Sequence, residues 1–194
     1  MKAEKLFEVA KLYGQSTLAG AGNGQSFLAK LIDATKEVPT GSLVILDLSK
    51  VELVSASFFR AAFRAYRDYA RSSAMLYVVF ANSTAATLEE ACFFAESTGD
   101  AYVFAKVNRQ LQITSPFVVG KLEDKQAKTL AALLKLKEAD AGQLLEAFPE
   151  PAVASSAAWS NRLAALALKG LIVERLEGRL KKYRPIIEDL AYGT

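Results

Sequence analysis

The chain contains no histidine and a single cysteine, Cys92, among its 194 residues. Without histidine it lacks the commonest general base, the usual partner of a nucleophilic serine and the commonest transition-metal ligand. One cysteine permits neither a disulfide within the chain nor a thiolate cluster for zinc. Carboxylate, lysine and tyrosine chemistry remain open, but these absences predict a protein that is not an enzyme and carries no cofactor. No apolar run approaches the roughly 20 residues that span a bilayer. The stretch MKAEKLFEVAK mixes charge with hydrophobe where a secretory signal has an unbroken apolar segment. The expectation is a cytoplasmic protein with no membrane partner.

What is present is the composition of a globular protein, 52% hydrophobic and 23% charged, in a chain long enough for one large domain or two small ones. The net charge of +3 is small, but it is unevenly placed. Between Ser155 and Pro185 the cations Arg162, Lys169, Arg175, Arg179, Lys181, Lys182 and Arg184 face only Glu174 and Glu177, a local net charge of +5 that leaves the remainder at −2. A basic patch on a near-neutral body is the footprint of phosphate contact. A solvated charged hairpin is the plainer reading of the same count.

Periodicity divides the chain in two. Up to residue 108, strand-like and helix-like stretches alternate. LFEVAKLY (6–13) has period two, and QSFLAKLIDATKEV (25–38) sets Phe27, Leu28, Leu31 and Ile32 on one helical face. LVILDL (43–48) is an apolar run of strand length, and SASFFRAAFRAYRDYAR (55–71) repeats Phe59, Phe63 and Tyr66 at helical spacing. MLYVVFA (75–81), ATLEEACFFAES (86–97) and AYVFAKV (101–107) add a strand, a helix and a strand. The alternation predicts an α/β layer over 1–108 with a small, mostly parallel sheet of four strands. Residues 109–121 have no helical period and read as a linker or an extra edge strand. From 122 to 194 the pattern is three helices (123–137, 140–148, 155–169) and a hairpin (171–184).

GAGNGQS (20–26) lies between a strand and a helix, where backbone N–H groups can cradle an anion. A P-loop, however, needs lysine where Gln25 stands, and the dinucleotide fingerprint needs a different glycine spacing. Glycines permitting a turn explain the stretch; a nucleotide sensor is the alternative.

A buried strand ending in Asp47, followed by Ser49, Val51 and the loop Ser55-Ala56-Ser57-Phe58 opening a helix, resembles the STAS superfamily over about residues 5–107. The bacterial anti-sigma-factor antagonists share the strand–loop–helix, and STAS-like proteins with a Ser-x-Ser-Phe loop match it more closely. In the antagonists an Asp-Ser pair opens the helix and the serine is phosphorylated. Here those positions are Ser55 and Ala56, so that switch is absent at the matching position. The resemblance implies a surface for a protein partner at Ser55, Ser57 and Phe59. Helix capping is the structural alternative for the two serines.

In a helix beginning near Ser155, Trp159, Leu163, Leu166 and Gly170 share one face, while Ser156, Ala157, Ser160, Asn161 and Ala164 lie opposite. The second face is small and polar, suited to close approach to base edges, with Asn161 able to donate and accept at adenine. Arg162 at its flank would neutralise a phosphate. A helix capped by Asp140 precedes it, joined through PEPAVA (149–154), and LIVERLE and RLKKYRP follow around Gly178. The segment Ser160-Asn161-Arg162-Leu163, Leu166, Lys169-Gly170-Leu171-Ile172 and the basic hairpin ending at Tyr183 resembles the winged helix-turn-helix domains of bacterial and archaeal transcriptional regulators, over about residues 122–187. The resemblance implies double-stranded DNA as partner, contacted by Ser156, Ala157, Ser160, Asn161 and Arg162 on the helix and Arg175, Arg179, Lys181 and Lys182 on the hairpin. A homodimer is the expected form, since one recognition helix makes few contacts.

The whole reads as an α/β STAS-like layer followed by an α+β winged helix-turn-helix domain, a DNA-binding transcriptional regulator with a sensing or partner-binding N-terminal half. The alternative is an adaptor of the anti-sigma-antagonist type that does not bind DNA.

Overall fold

Two five-residue apolar segments, LVILD and YVVFA, have almost every residue buried, and they form the centre of a sheet. The computed structural model describes residues 4–150 and 155–192. The chain divides into two compact units, Met1–Lys121 and Leu122–Thr194. No helix among the described residues is long and apolar enough to cross a membrane.

The first unit is mixed α/β. Strands β1 (Glu4–Glu8), β3 (Leu43–Asp47), β5 (Tyr77–Ala81), β6 (Ala101–Val107) and β7 (Ile113–Gly120) form one sheet in the order β1-β3-β5-β6-β7. The first four are parallel, and β7 runs antiparallel to β6. Two-residue strands β2 (Thr17–Leu18) and β4 (Leu53–Val54) pair separately. Helix α1 (Val9–Tyr13) precedes β2, and α2 (Ala21–Thr35) follows it. After β4 a continuous helical segment follows: α3 (Ala56–Phe58), a π-helical stretch (Phe59–Arg64), α4 (Ala65–Tyr69) and a second π-helical stretch (Ala70–Ala74). Helix α5 (Ala85–Thr98) joins β5 to β6. The connections between neighbouring parallel strands carry these helices, and they pack together on one face of the sheet. There Val44, Leu46, Val78, Phe80, Tyr102 and Phe104 meet them in the core. Phe59 sits at the middle of that contact, with ring centroids 5.0–5.4 Å from Phe63, Phe80, Phe94 and Tyr102.

Several local expectations are corrected. LFEVAKLY is not one strand: β1 ends at Glu8, and Val9, Leu12 and Tyr13, spaced i, i+3, i+4, turn into the core as α1. The sheet has five strands because QLQITSPFVVGK contributes β7. GAGNGQS is not a turn but mostly the first turns of α2, which starts at Ala21. Only Gly20, the N-cap, takes a positive φ, +86°. Gly24 serves close packing instead, since a Cβ there would stand 2.8 Å from Ala61 Cβ and 3.1 Å from the Phe58 carbonyl oxygen.

A buried polar network ties the helical segment to the start of β6. The Arg67 guanidinium donates to both Asp100 oxygens at 2.8 and 2.9 Å and to the Ala101 carbonyl at 3.2 Å. Tyr102 OH and Ala101 N–H also donate to Asp100, each at 2.9 Å. Burial pushes the Asp100 carboxyl pKa up, but the Arg67 hydrogen bonds and charge outweigh it and hold the group below the ordinary carboxylate value.

The second unit comprises α6 (Asp124–Leu136), α7 (Ala141–Ala147), α8 (Ser156–Leu168) and the antiparallel pair β8 (Ile172–Glu177) and β9 (Leu180–Pro185). Its buried side chains include Leu130, Leu133, Leu144, Trp159, Leu163, Leu166, Ile172 and Tyr183. Backbone bonds in both directions between Ala139 and Tyr183, 2.9 and 3.0 Å, dock β9 on the α6–α7 connection. The end of the described chain returns to this unit: Ile186 and Leu190 are buried, and the Leu122 N–H donates to Tyr192 OH at 2.8 Å. Of the loop PEPAVA, residues 151–154 lie outside the described residues.

Gly24→Ala is expected to destabilise by about 1–3 kcal/mol because backbone and a core helix must yield. Gly22→Ala, where nothing lies within 4 Å of the added Cβ, should be neutral or stabilising by up to about 1 kcal/mol; urea denaturation of the pair measures both. Arg67→Met, which takes the guanidinium from the buried Asp100 and leaves it the Tyr102 hydroxyl, the Ala101 N–H and Arg64 at 3.6 Å, should cost about 1–3 kcal/mol. The Asp100 contribution is present above the unfolded carboxylate pKa and lost as pH falls through the lower folded value, so the wild type should lose more stability than Arg67→Met on acidification below about pH 4.

Candidate nucleic-acid interface

Helix α7 begins with a reciprocal cap. The Asp140 carboxylate accepts from the Gln143 N–H at 2.9 Å, while the Gln143 side-chain oxygen accepts from the Asp140 N–H at 3.0 Å. Helix α8 follows, and its Trp159, Leu163 and Leu166 are at most 1% exposed. That burial turns Ala157, Asn161, Ala164 and Leu168 to the surface, with Ser156 and Ser160 half-buried beside them. The outward face of α8 carries no charged residue.

An open groove of about 520 Å³ runs between this face, the start of α7 and β9. Ser156, Ser160, Asn161 and Ala164 line it from α8. Arg179, Leu180, Lys181 and Tyr183 line the hairpin side, and Asp140, Ala141 and Gly142 close one end. Five of the residues read from the sequence as DNA contacts thus share one concavity: Ser156, Ser160, Asn161, Arg179 and Lys181. Ala157 is exposed on the same helix but does not line it.

Arg162 is placed differently from the expectation. It is 8% exposed, its guanidinium forms a two-pronged pair with Glu150 at 2.6 and 2.9 Å, and its Cζ lies 5.1 Å from the Trp159 ring centroid. One helical step beyond Asn161, it falls on the buried side of α8. Its charge is therefore engaged by Glu150 and is not offered to phosphate. Hydrogen bonds from Arg162 hold the Glu150 carboxyl below its ordinary value and raise Arg162.

The hairpin cations are also engaged. Lys181 pairs with Glu174 at 2.8 Å and Lys182 with Glu177 at 3.1 Å. Arg175 donates to Glu138 at 2.7 Å and lies 3.6 Å from Glu177. Arg175 and Lys182 are directly opposite on β8 and β9, a repulsive arrangement that Glu177, on the same face, relieves. Arg179, at the two-residue turn with Gly178, forms no ion pair among the described residues. The raised Lys181 pKa comes first from its hydrogen bond to Glu174.

The sequence reading missed Asp140 in the groove, Tyr183 as its wall and the two acidic anchors Glu138 and Glu150. The D-x-x-Q spacing of the α7 cap was a legible signal for the first. The anchors lie 37 and 12 residues from their arginines, and no local pattern connects them.

In the first unit, Ser55 Oγ accepts from the Phe58 N–H at 3.3 Å and lies 3.1 Å from Ser57 Oγ. Ser55 is thus a helix cap, and both serines are half-buried. Phe59 is 1% exposed inside the aromatic core and offers no surface to a partner, contrary to its assignment from the loop motif. Its helical spacing with Phe63 and Tyr66 was the signal that could have placed it in the core. Among the described residues no group of three or more His, Cys, Asp or Glu side chains is placed to hold a metal ion.

Arg162→Ala should lower stability by about 1–2 kcal/mol through lost packing on Trp159 and loss of the two-pronged pair with Glu150. Thermal unfolding measures it, and a variant with unchanged stability would contradict the buried assignment. No protein-family model matches this sequence, and comparison with curated proteins likewise finds no match.

Proposed function

We propose that the chain is a DNA-binding transcriptional regulator, in which the second unit is a winged helix-turn-helix domain and the first a STAS-like domain that receives a signal or a protein partner. The observation that carries the reading is the groove in which an uncharged, small-residue helix face bearing Asn161 lies beside a hairpin bearing Arg179 and Lys181. Such a face admits close approach to base edges, and the flanking cations suit the phosphate backbone. Helix α8 is the recognition helix in this reading, with Ser156, Ala157, Ser160 and Asn161 toward the duplex. Arg179, Lys181, Lys182 and Arg175 contact phosphate from the hairpin. Two copies of the chain present two such helices to a pair of half-sites. The protein acts in the cytoplasm and without catalysis.

The second reading is an adaptor that binds a protein through the Ser55–Ser57 loop and no DNA. It is favoured by the pairing of Arg175, Lys181 and Lys182 with acidic neighbours, which leaves few unopposed cations on the hairpin.

Titration of labelled duplex from around its own gene, at several salt concentrations, separates the two. Under the regulator reading Asn161→Ala loses about 1–3 kcal/mol at the preferred site and little on random DNA. Lys181→Ala/Lys182→Ala weakens all duplexes and flattens the salt slope by up to about 2. Glu174→Gln/Glu177→Gln binds more tightly, because phosphate no longer competes with carboxylate for the same lysines. Wild-type protein that ignores both specific and random duplex at low salt overturns the reading and leaves the adaptor.

A further inference from the structure

A second concavity of the C-terminal unit, about 370 Å³, lies between α6 and the residues that follow α7. Its floor is apolar, formed by Ala131, Ala132, Phe148 and the buried Trp159. Lys128 and Lys135 stand on its rim, two turns apart on α6, and neither forms an ion pair among the described residues. The Lys135 ammonium lies 5.8 Å from the Phe148 ring centroid. Glu150 is the one carboxylate in the wall, and both its oxygens already accept from Arg162. The indole N–H of Trp159 is buried without a hydrogen-bond partner. Lys128 acts on Glu150 without a direct contact, and the side-chain polar groups there that form no hydrogen bond or ion pair among the described residues are donors: Lys128, Lys135 and the Trp159 indole.

We propose that this cavity binds a small amphiphilic carboxylate, an aromatic or branched aliphatic acid, with its anionic end toward Lys135 and its apolar body over Ala131, Ala132 and Trp159. The volume lies at the lower end of the range for small-molecule sites, and an apolar floor with a few placed polar groups is their usual lining. Two rim lysines disfavour a cationic ligand, and a neutral hydrocarbon would leave them unused. Lys135 over Phe148 presents its charge beside an aromatic surface, so one ligand meets the cation and the apolar floor together. The site uses none of the groove residues on the outward face of α8, and the inference stands or falls separately from DNA binding.

Trp159 is the chain's one tryptophan, so intrinsic fluorescence reports from the cavity wall itself. Full-length protein would be titrated with phenylacetate and isovalerate, and with phenylacetamide as the uncharged control, up to about 10 mM. The expected result is a saturable change for the acids with Kd in the range of about 0.01–1 mM, as suits ligands of this size. Binding should be at least about ten-fold weaker for the amide and for Lys135→Met, through loss of the charge pair. It should be abolished in Ala131→Phe, whose exposed position lets the ring cover the cavity. Non-saturating quenching by the acids, equal response to acid and amide, or undiminished binding in thermally intact Lys135→Met and Ala131→Phe would each overturn the proposal. The comparison of acid with amide on the wild type decides even if a variant fails to fold.

Discussion

Trp159, Leu163 and Leu166 leave almost no surface accessible, and the burial of that stripe fixes the rotation of α8 about its own axis. Each such side chain gains about 1.5–3 kcal/mol on leaving water, far more than any surface polar contact of the same helix. The orientation of everything else on α8 follows. Asn161 and the small residues face outward because they are the complement of the stripe, and Arg162 faces inward because it adjoins Leu163. The two-pronged pair then holds Glu150 against α8, and the Ala139–Tyr183 backbone bonds hold the hairpin on the α6–α7 connection. A groove exists because these three constraints act on neighbouring elements of one unit.

Electrostatics within that unit acts differently from a count of charges. A segment with net charge +5 suggests a freely basic surface, yet the two acids of β8, Glu174 and Glu177, pair diagonally with Lys181 and Lys182 of β9. At this spacing exposed pairs contribute little to stability, commonly below about 1 kcal/mol each. Their effect is on availability: every lysine near Glu174 or Glu177 must exchange one anion for another before it can serve a different partner. The charge of Arg179 at the turn carries no such condition.

The main layers of the fold were legible because their signals are local. Continuous apolar runs marked β3 and β5, aromatic spacing marked the segment 56–74, and Asp140 marked the start of α7. What escaped the sequence was decided by distance in the chain. Nothing near Gly24 says that Ala61 will approach it, and nothing near Arg162 announces Glu150. The edge strand β7 could not be told from a linker, because Pro116 and the polar residues before it break strand periodicity although the pairing with β6 holds. Phe59 shows the converse error. A loop motif suggested a contact surface, although the helical spacing of Phe59 with Phe63 and Tyr66 is the spacing of a buried face.

The two edges of the main sheet have different chemistry. Along β7, Ser115 and Pro116 stand where β6 has the single residue Ala105, Ser115 takes φ +48°, and proline offers no N–H. An incoming strand would meet a kink and a missing donor there. The β1 edge is regular and five residues long, with Glu4, Lys5 and Glu8 among them. A second copy pairing antiparallel about Leu6 would set Glu4 of each copy against Glu8 of the other, two like-charge oppositions in one short ladder. Strand-by-strand polymerisation is therefore opposed by backbone geometry on one flank and by charge on the other. The open sheet thus carries a backbone obstacle at one edge and, in that register, a charge obstacle at the other, without closing into a barrel.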